Sequence, residues 1–209
     1  PKQVRDLVDA EKLKALKAWR RNITKTPTTA QTKRMTALAR RAEVLWELTL
    51  RRLRVAEAEA SRRIDLWERE EQANVGSTVS REDIEAYLAE PGSAYRRLRL
   101  VMDAWCALWY WPLTTEVRPP SLDEWLGALE GLLGIAGKAG PTDAATFADA
   151  TAWDELEQAE EMDLGFAGAR AVDSIIEEHE WLTVVREVTQ TQGFFHWELD
   201  FATVFARGG

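Results

Sequence analysis

The sequence predicts an all-α protein: a multi-helix domain with one long amphipathic helix and a short extended segment at its C-terminal end. Three observations support this fold class. Apolar residues recur at spacings of three and four along most of the 209 residues, as on the buried face of a helix. Ser, Thr or Asp precedes several of these stretches at N-cap spacing, and glycine or proline follows them. Only residues 194–209 alternate apolar and polar side chains with the period of a strand.

The first helices lie in a basic stretch. Residues 3–21 predict one or two short helices, with Asp9 as an N-cap. Thr28 and Gln31 then have capping-box spacing and open the longest helix, which we expect to run from about residue 30 to residue 67. Its apolar seam against a neighbouring helix consists of Met35, Leu38, Ala42, Leu45, Trp46, Thr49, Leu53, Ala56, Ala60 and Ile64.

Shorter helices are predicted in the rest of the chain. The β-branched residues in 183–188 leave helix and strand open there. The predicted helices run from near Ser80 to before Pro91, from Ser93 to near Trp111, from Ser121 to Leu133, from Thr146 to Met162, from Asp173 to before Trp181, and from Trp181 to near Gln190.

The helix predicted from Ser93 to Trp111 is apolar almost all round, interrupted mainly by Arg99 and Asp103. A helix of this kind is covered on several sides. We therefore expect it to be the core helix, with Trp105 and Trp109 buried. Truncating either buried indole to alanine would cost about 3–5 kcal/mol.

The composition is that of an ordinary soluble globular protein, with 45% hydrophobic and 30% charged residues. No apolar run approaches the roughly 20 residues that cross a bilayer. The single cysteine, Cys106, lies in an apolar stretch, as expected of a reduced thiol in a cytoplasmic protein.

Charge is distributed unevenly along the chain. Residues 1–64 contain 17 Lys/Arg and 7 Asp/Glu, a net charge of +10, whereas residues 65–209 carry −18, which together give the −8 of the whole chain. Such asymmetry indicates either a half that faces nucleic acid or two halves that attract each other. Composition does not decide between them.

An arginine-rich face of the long helix is the candidate DNA contact. At about 100° per residue, several of its arginines fall in a broad stripe away from the apolar seam, where they could hold DNA phosphates. The alternatives are an exposed face paired with Glu43, Glu47, Glu57 and Glu59, or one docked on the acidic second half. The candidate phosphate-binding residues are Arg40, Arg51, Arg52, Arg54, Arg62 and Arg63.

The sequence predicts no catalytic, cofactor-binding or metal-binding residue. The glycine-rich stretch 131–142 lacks the spacing of a phosphate loop. His179, His196 and Cys106 lack zinc-ligand spacing. His196 has no identifiable nucleophile beside it, so we expect a packed structural histidine. No Asp or Glu stands two positions before a lysine, the spacing that a fused nuclease would show.

The C-terminal residues carry a resemblance to a known family. The phrase FHWELDF at 195–201, followed by Val204 and Phe205, resembles the lead-in to the catalytic Asn-Pro-Pro-aromatic motif of large bacterial adenine-specific DNA methyltransferases in restriction-modification and phage-defence systems. Residues 43–57 and 103–109 are similar, more loosely, to the long spacer before that motif. The resemblance implies that a buried strand ending in the motif follows the segment.

The resemblance implies a division of the chain into a basic helical arm (1–67), a helical core (68–193) and an extended segment (194–209) that leads into an absent catalytic domain. The only asparagines, Asn22 and Asn74, are not followed by Pro-Pro. We therefore expect a non-catalytic helical domain that positions the catalytic motif and contacts duplex DNA. S-adenosylmethionine is implied for the parent protein only. The alternative is a self-contained helical oligomerisation or protein-interaction module.

Overall fold

The computed structural model describes residues 9–62, 79–135 and 152–206, and in these ranges the chain forms helices and turns without a strand. The predicted all-α fold class is therefore confirmed. The helices are α1 (Ala10–Ile23), α2 (Thr29–Arg62), α3 (Arg81–Ala89), α4 (Ala94–Ala107), α5 (Leu122–Leu133), α6 (Trp153–Phe166), α7 (Val172–Glu178), α8 (Trp181–Gln192), α9 (Trp197–Asp200) and α10 (Ala202–Phe205). A 3₁₀ turn, Leu108–Tyr110, extends α4.

Some predictions fall on residues outside these ranges. They concern the continuation of the long helix beyond Arg62, the polar connection through residue 78, most of the glycine-rich stretch after Leu133 and the predicted helix start at Thr146. The boundaries of the basic arm, the helical core and the C-terminal segment remain predictions.

Side-chain caps, some of them reciprocal, form at several of the predicted helix starts. The Thr28 amide donates to Gln31 Oε1 at 2.9 Å, and the Gln31 amide donates back to Thr28 Oγ1 at 3.2 Å. Ser121 and Glu124 exchange the same two bonds at the start of α5, and Asp9 accepts the first amide bonds of α1. These contacts satisfy backbone donors that a helix leaves free in its first turn, which is why the sequence located these starts well.

Helix α2 is the spine of the bundle. It packs on α4, α5 and α6, and α4 in turn packs on α8. The predicted seam contributes Leu38 and Leu45, both buried in one core with Leu126 and Leu132 of α5. The middle of the predicted seam is thus buried within the chain, whereas Met35 at its start is 40% exposed.

Two buried arginines complete the C-terminal end of α5. The last carbonyls of a helix lack intrahelical partners. Arg41 Nε donates to the Leu133 carbonyl at 3.1 Å, and Arg97 Nη1 donates to the Leu132 carbonyl at 2.7 Å. The next residue, Gly134, has φ +83°, and an added Cβ would lie 2.5 Å from the Ala167 Cβ. Glycine is therefore required where α5 stops.

The basic spine pairs with the acidic second half of the chain. Arg34 forms two bonds to Glu130, at 2.7 and 2.9 Å. Arg41 makes a two-pronged contact with Asp163 of α6, and both side chains are 3% exposed. Of the two explanations for the charge asymmetry, these contacts favour attraction between the halves.

Two expectations need correction. Trp105 and Trp109 are 52% and 60% exposed, although Leu98 and Ala104 of α4 are buried. The segment at 194–209 is not extended over 197–205, where α9 and α10 form two short helical turns. The ambiguity at 183–188 is resolved as helix, inside α8.

Candidate functional site

The C-terminal segment, defined here as residues 194–206, leaves α8 through a sharp turn. Gly193 has φ +62°, a left-handed conformation that ends α8. His196 then has extended backbone, and its carbonyl accepts bonds from the Leu199 amide at 3.0 Å and the Asp200 amide at 2.7 Å. Asp200 Oδ2 accepts the His196 amide at 2.9 Å. These bonds between His196 and Asp200 close a helical turn, although the apolar and polar side chains of this stretch alternate as in a strand.

The inward side of the segment places a histidine against a buried carboxylate. His196 Nε2 lies 2.7 Å from Asp103 Oδ1 of α4, and the two side chains are 5% and 9% exposed. A buried polar group requires a hydrogen-bond partner, and each residue supplies one to the other. The expectation of a packed, hydrogen-bonded His196 agrees with this geometry.

Cys106 does not turn this pair into a nucleophilic site. Burial and the nearby Asp103 carboxylate raise the pKa of the Cys106 thiol. A raised pKa keeps the thiol protonated, and the thiolate is the reactive form. The pair therefore positions the segment and does not activate this cysteine.

A second set of contacts joins α4 to Asp200. Arg99 Nη1 donates to Asp200 Oδ1 at 2.7 Å, and the Tyr95 hydroxyl donates to the same oxygen at 2.9 Å. Arg99 Nη2 also donates to the Phe194 carbonyl at 3.2 Å. Burial opposes ionisation of Asp200, but the bonds from His196, Tyr95 and Arg99 outweigh it and hold the pKa of Asp200 below its usual value.

The long helix adds a third anchor. Trp46 Nε1 of α2 donates to the Glu198 carbonyl at 3.1 Å, and Leu199 and Ala202 are each 1% exposed. We call the contacts made by Trp46, Tyr95, Arg99 and Asp103 the clamp. The sequence pattern did not indicate a site at Tyr95, Arg99 or Asp103. The available signal was the two charges that interrupt the apolar core helix.

The outward side of the segment carries large apolar groups in solvent. We define the aromatic patch as Phe195, Trp197 and Phe201, which are 50%, 63% and 44% exposed. The ring centroids lie 5.0 Å apart for Phe195 and Trp197, and 5.7 Å apart for the stacked pair Trp197 and Phe201. Val204 and Phe205 beside it are also more than half exposed. Contiguous apolar surface of this kind is typical of an interaction site.

The predicted DNA-contacting arginines of α2 do not form one exposed stripe. Arg40 and Arg54 are exposed, whereas Arg51 is half-buried and bonds Glu47 at 3.0 Å. The side chains of Arg62 and Arg63 lie outside the described residues.

Arg52 is removed from the candidate set. Its side chain is 2% exposed, with its guanidinium 3.8 Å from the Tyr87 ring centroid and 4.1 Å from that of Trp153. Glu157 and Glu160 lie 3.5 and 3.7 Å away. A cation enclosed by two rings and two carboxylates cannot reach a DNA phosphate.

Over the part of the chain that the structure describes, no cluster of three His, Cys, Asp or Glu residues could hold a metal ion, and no helix is long and apolar enough to cross a membrane. Comparison of the chain with protein-family models, curated proteins and solved structures gave no match.

Proposed function

We propose that this chain is a non-catalytic helical domain of a bacterial adenine-specific DNA methyltransferase, in which it holds the segment next to the catalytic motif. The supporting observation is the clamp. The motif-like phrase at 195–201 divides into residues that bind α4, such as His196 and Asp200, and residues that face outward, such as Trp197.

The proposed role is positional. Enzymes gain much of their rate from holding reacting groups in the productive geometry, and small displacements are costly. A segment fixed to a rigid bundle by buried charged bonds transmits that rigidity to whatever follows it. In the family that the chain resembles, an Asp-Pro-x-Cys-Gly-x-Gly-like turn binds S-adenosylmethionine. This chain has no such turn, so we assign S-adenosylmethionine binding to none of its residues.

The first test is the source gene. We expect its coding sequence to continue past Gly209 into a short apolar run and an Asn-Pro-Pro-aromatic motif. A stop codon directly after Gly209 would overturn the proposal.

The second test measures methyl transfer from S-adenosylmethionine to DNA by the protein that the whole gene encodes. Arg99→Ala and Asp103→Ala, which each remove a clamp bond, should lower the rate and leave S-adenosylmethionine affinity unchanged. Arg96→Ala is the matched control, because Arg96 is an exposed arginine on the same helix. Equal rates for the clamp variants and this control contradict a positional role.

A helical interaction module is the second candidate, and the aromatic patch is the observation that favours it. In one form of this alternative, α2 pairs with a second copy of the chain through its apolar seam. The full burial of Leu45 within the chain argues against that form. The exposed rings of Trp197 and Phe201 offer such a module another apolar contact surface. Concentration-dependent light scattering distinguishes the two candidates.

A further inference from the structure

Helix α1 has one face bound to the bundle and one face of cations. Trp19 Nε1 donates to the Pro120 carbonyl at 2.7 Å, and Lys12 pairs with Glu116 at 2.6 Å. At about 100° per residue, the opposite face places four basic side chains within an arc of roughly 120°. They are Lys14, Lys17, Arg20 and Arg21, all exposed.

The cationic face is only weakly neutralised. Residues 9–40 contain nine Lys/Arg and two Asp/Glu. Among the described residues, the one ion pair that these four side chains make joins Lys14 to Glu11 at 4.0 Å, with both side chains at least 80% exposed. An exposed pair of this kind contributes little. The arginines of α2 differ, since Arg34, Arg41, Arg51 and Arg52 pair with carboxylates of the chain.

A pocket of about 300 Å³ opens beside this face. Its walls are apolar, and it lies between α1, the start of α2, and the exposed edge of α4. Arg20 and Thr24 of the cationic side also line it. Four indoles contribute to its walls: Trp19, Trp105, Trp109 and Trp125.

Two of these indoles are unusually open to solvent. Trp105 and Trp109 are 52% and 60% exposed, and their ring centroids lie 6.3 Å apart in an edge-to-face arrangement. Trp105 also contacts Trp125 at 6.0 Å. The pocket volume is at the lower limit for small-molecule sites, a size suited to a flat ring system. Exposed aromatic faces beside a row of cations are typical of single-stranded nucleic-acid sites.

We propose that the pocket and the cationic face of α1 together bind single-stranded DNA. One unpaired base stacks on the exposed indole of Trp109 and meets the Trp105 ring at its edge, and the adjoining phosphates bind Lys17, Arg20 and Arg21. A base inside a duplex is stacked on its neighbours, so its face is not free for an indole. The inference rests on the proposed function in one respect: proteins that modify bases act on unpaired or extruded nucleotides, so such strands occur beside this domain.

The experiment is fluorescence anisotropy with a labelled oligothymidylate, compared with the same strand annealed to its complement. The single strand should bind more tightly than the duplex, with an affinity that falls as salt rises because phosphate contacts release counterions. Trp109→Ala should lower the affinity about tenfold, as expected for the loss of one stacked base. Lys17→Glu combined with Arg21→Glu should weaken binding and make the salt dependence shallower.

Matched controls test the location. Arg40→Glu with Arg54→Glu makes the same charge change on α2, and Trp197→Ala removes an exposed indole from the aromatic patch. Neither control should change the affinity for the single strand by more than about twofold. Urea unfolding verifies that each variant folds, and Trp109→Phe, which keeps an aromatic face, should restore most of the affinity. Absence of binding at low salt, preference for duplex, or equal losses in the controls each overturn the inference.

Failure here is distinguishable from failure of the proposed function. If the oligonucleotide does not bind while the clamp variants still slow methyl transfer, the single-strand site is wrong and the positional role stands. If the strand binds as described but no Asn-Pro-Pro-aromatic motif follows in the gene, the site stands and the methyltransferase assignment is wrong.

Discussion

At the residue scale, the contact between Arg41 and Asp163 is a buried ion pair on which stability should depend strongly. Both side chains are 3% exposed, and the guanidinium also donates to the Leu133 carbonyl. Asp163→Ala leaves a buried arginine without its counter-charge. We expect the free energy of unfolding to fall by about 3–5 kcal/mol, measured by urea denaturation.

A matched comparison separates burial from pairing as such. Arg118 and Glu124 also make a two-pronged contact, but the Arg118 side chain is 69% exposed. Arg118→Ala should therefore cost no more than about 1 kcal/mol. Combining Arg41→Met with Asp163→Leu should recover part of the loss, because two apolar groups need no counter-charge while the Leu133 carbonyl loses its donor. Equal costs for the buried and the exposed pair contradict this reasoning.

Asp200 makes the clamp sensitive to acid. Its folded-state pKa is lowered, so its carboxylate stabilises the fold above the ordinary Asp pKa of about 3.9. That stabilisation is lost as pH falls through the lower folded-state pKa. We expect wild type to unfold at higher urea than Asp200→Asn at neutral pH, with the difference shrinking steadily below about pH 4. A difference that does not change with pH would show that Asp200 acts without its charge.

At the scale of elements, the C-terminal segment owes its place to α4 more than to its own short helices. Helices of four residues are not stable alone. Arg99→Ala removes the bonds to Asp200 and to the Phe194 carbonyl, so amide hydrogen exchange over residues 194–206 should accelerate while α5 and α6 stay protected. Arg96→Ala on the same helix should leave exchange unchanged. Faster exchange across the whole bundle would mean that Arg99 supports the fold and not this segment.

The elements that the sequence predicted well are those set by local chemistry. Thr28 with Gln31 and Ser121 with Glu124 bond within one turn, so four residues of sequence contain the information. The segment at 194–206 was misread because its turn is closed by Asp200 and fixed by distant residues such as Arg99. The alternation of 195, 197, 199 and 201 also places Trp197 and Phe201 four apart, a spacing that suits a helix equally well.

The candidate site was predictable only in part, because ion-pair partners are chosen in three dimensions. Arg52 was among the candidate phosphate-binding residues of α2, yet the rings of Tyr87 and Trp153 enclose it. Likewise, hydropathy predicted that Trp105 and Trp109 are buried, although their side chains are 52% and 60% exposed. Arg99 and Asp103 were visible as charges in an apolar helix, but the sequence did not show which residues they bind.

At the scale of the whole molecule, the uneven charge of the chain acts mainly inward. The arginines of α2 bind carboxylates of α5 and α6. Pairing of this kind fixes the spine against the acidic half, and exposed cations remain on α1 and at Arg40 and Arg54 of α2. A protein with net charge −8 can therefore present a local cationic surface.

The aromatic patch gives the last prediction, which compares two faces of one short helix. Trp197 is 63% exposed and Leu199 is 1% exposed, two residues apart on α9. Trp197→Ser with Phe201→Ser should lower the free energy of unfolding by no more than about 2 kcal/mol, because these rings are half in water already. It should also lower any concentration-dependent association seen by light scattering. Leu199→Ser should instead release the segment and accelerate its amide exchange, since it leaves a cavity and a hydroxyl in the core. If the double serine variant destabilises the protein as much as Leu199→Ser, the patch is part of the fold and is not available to a partner.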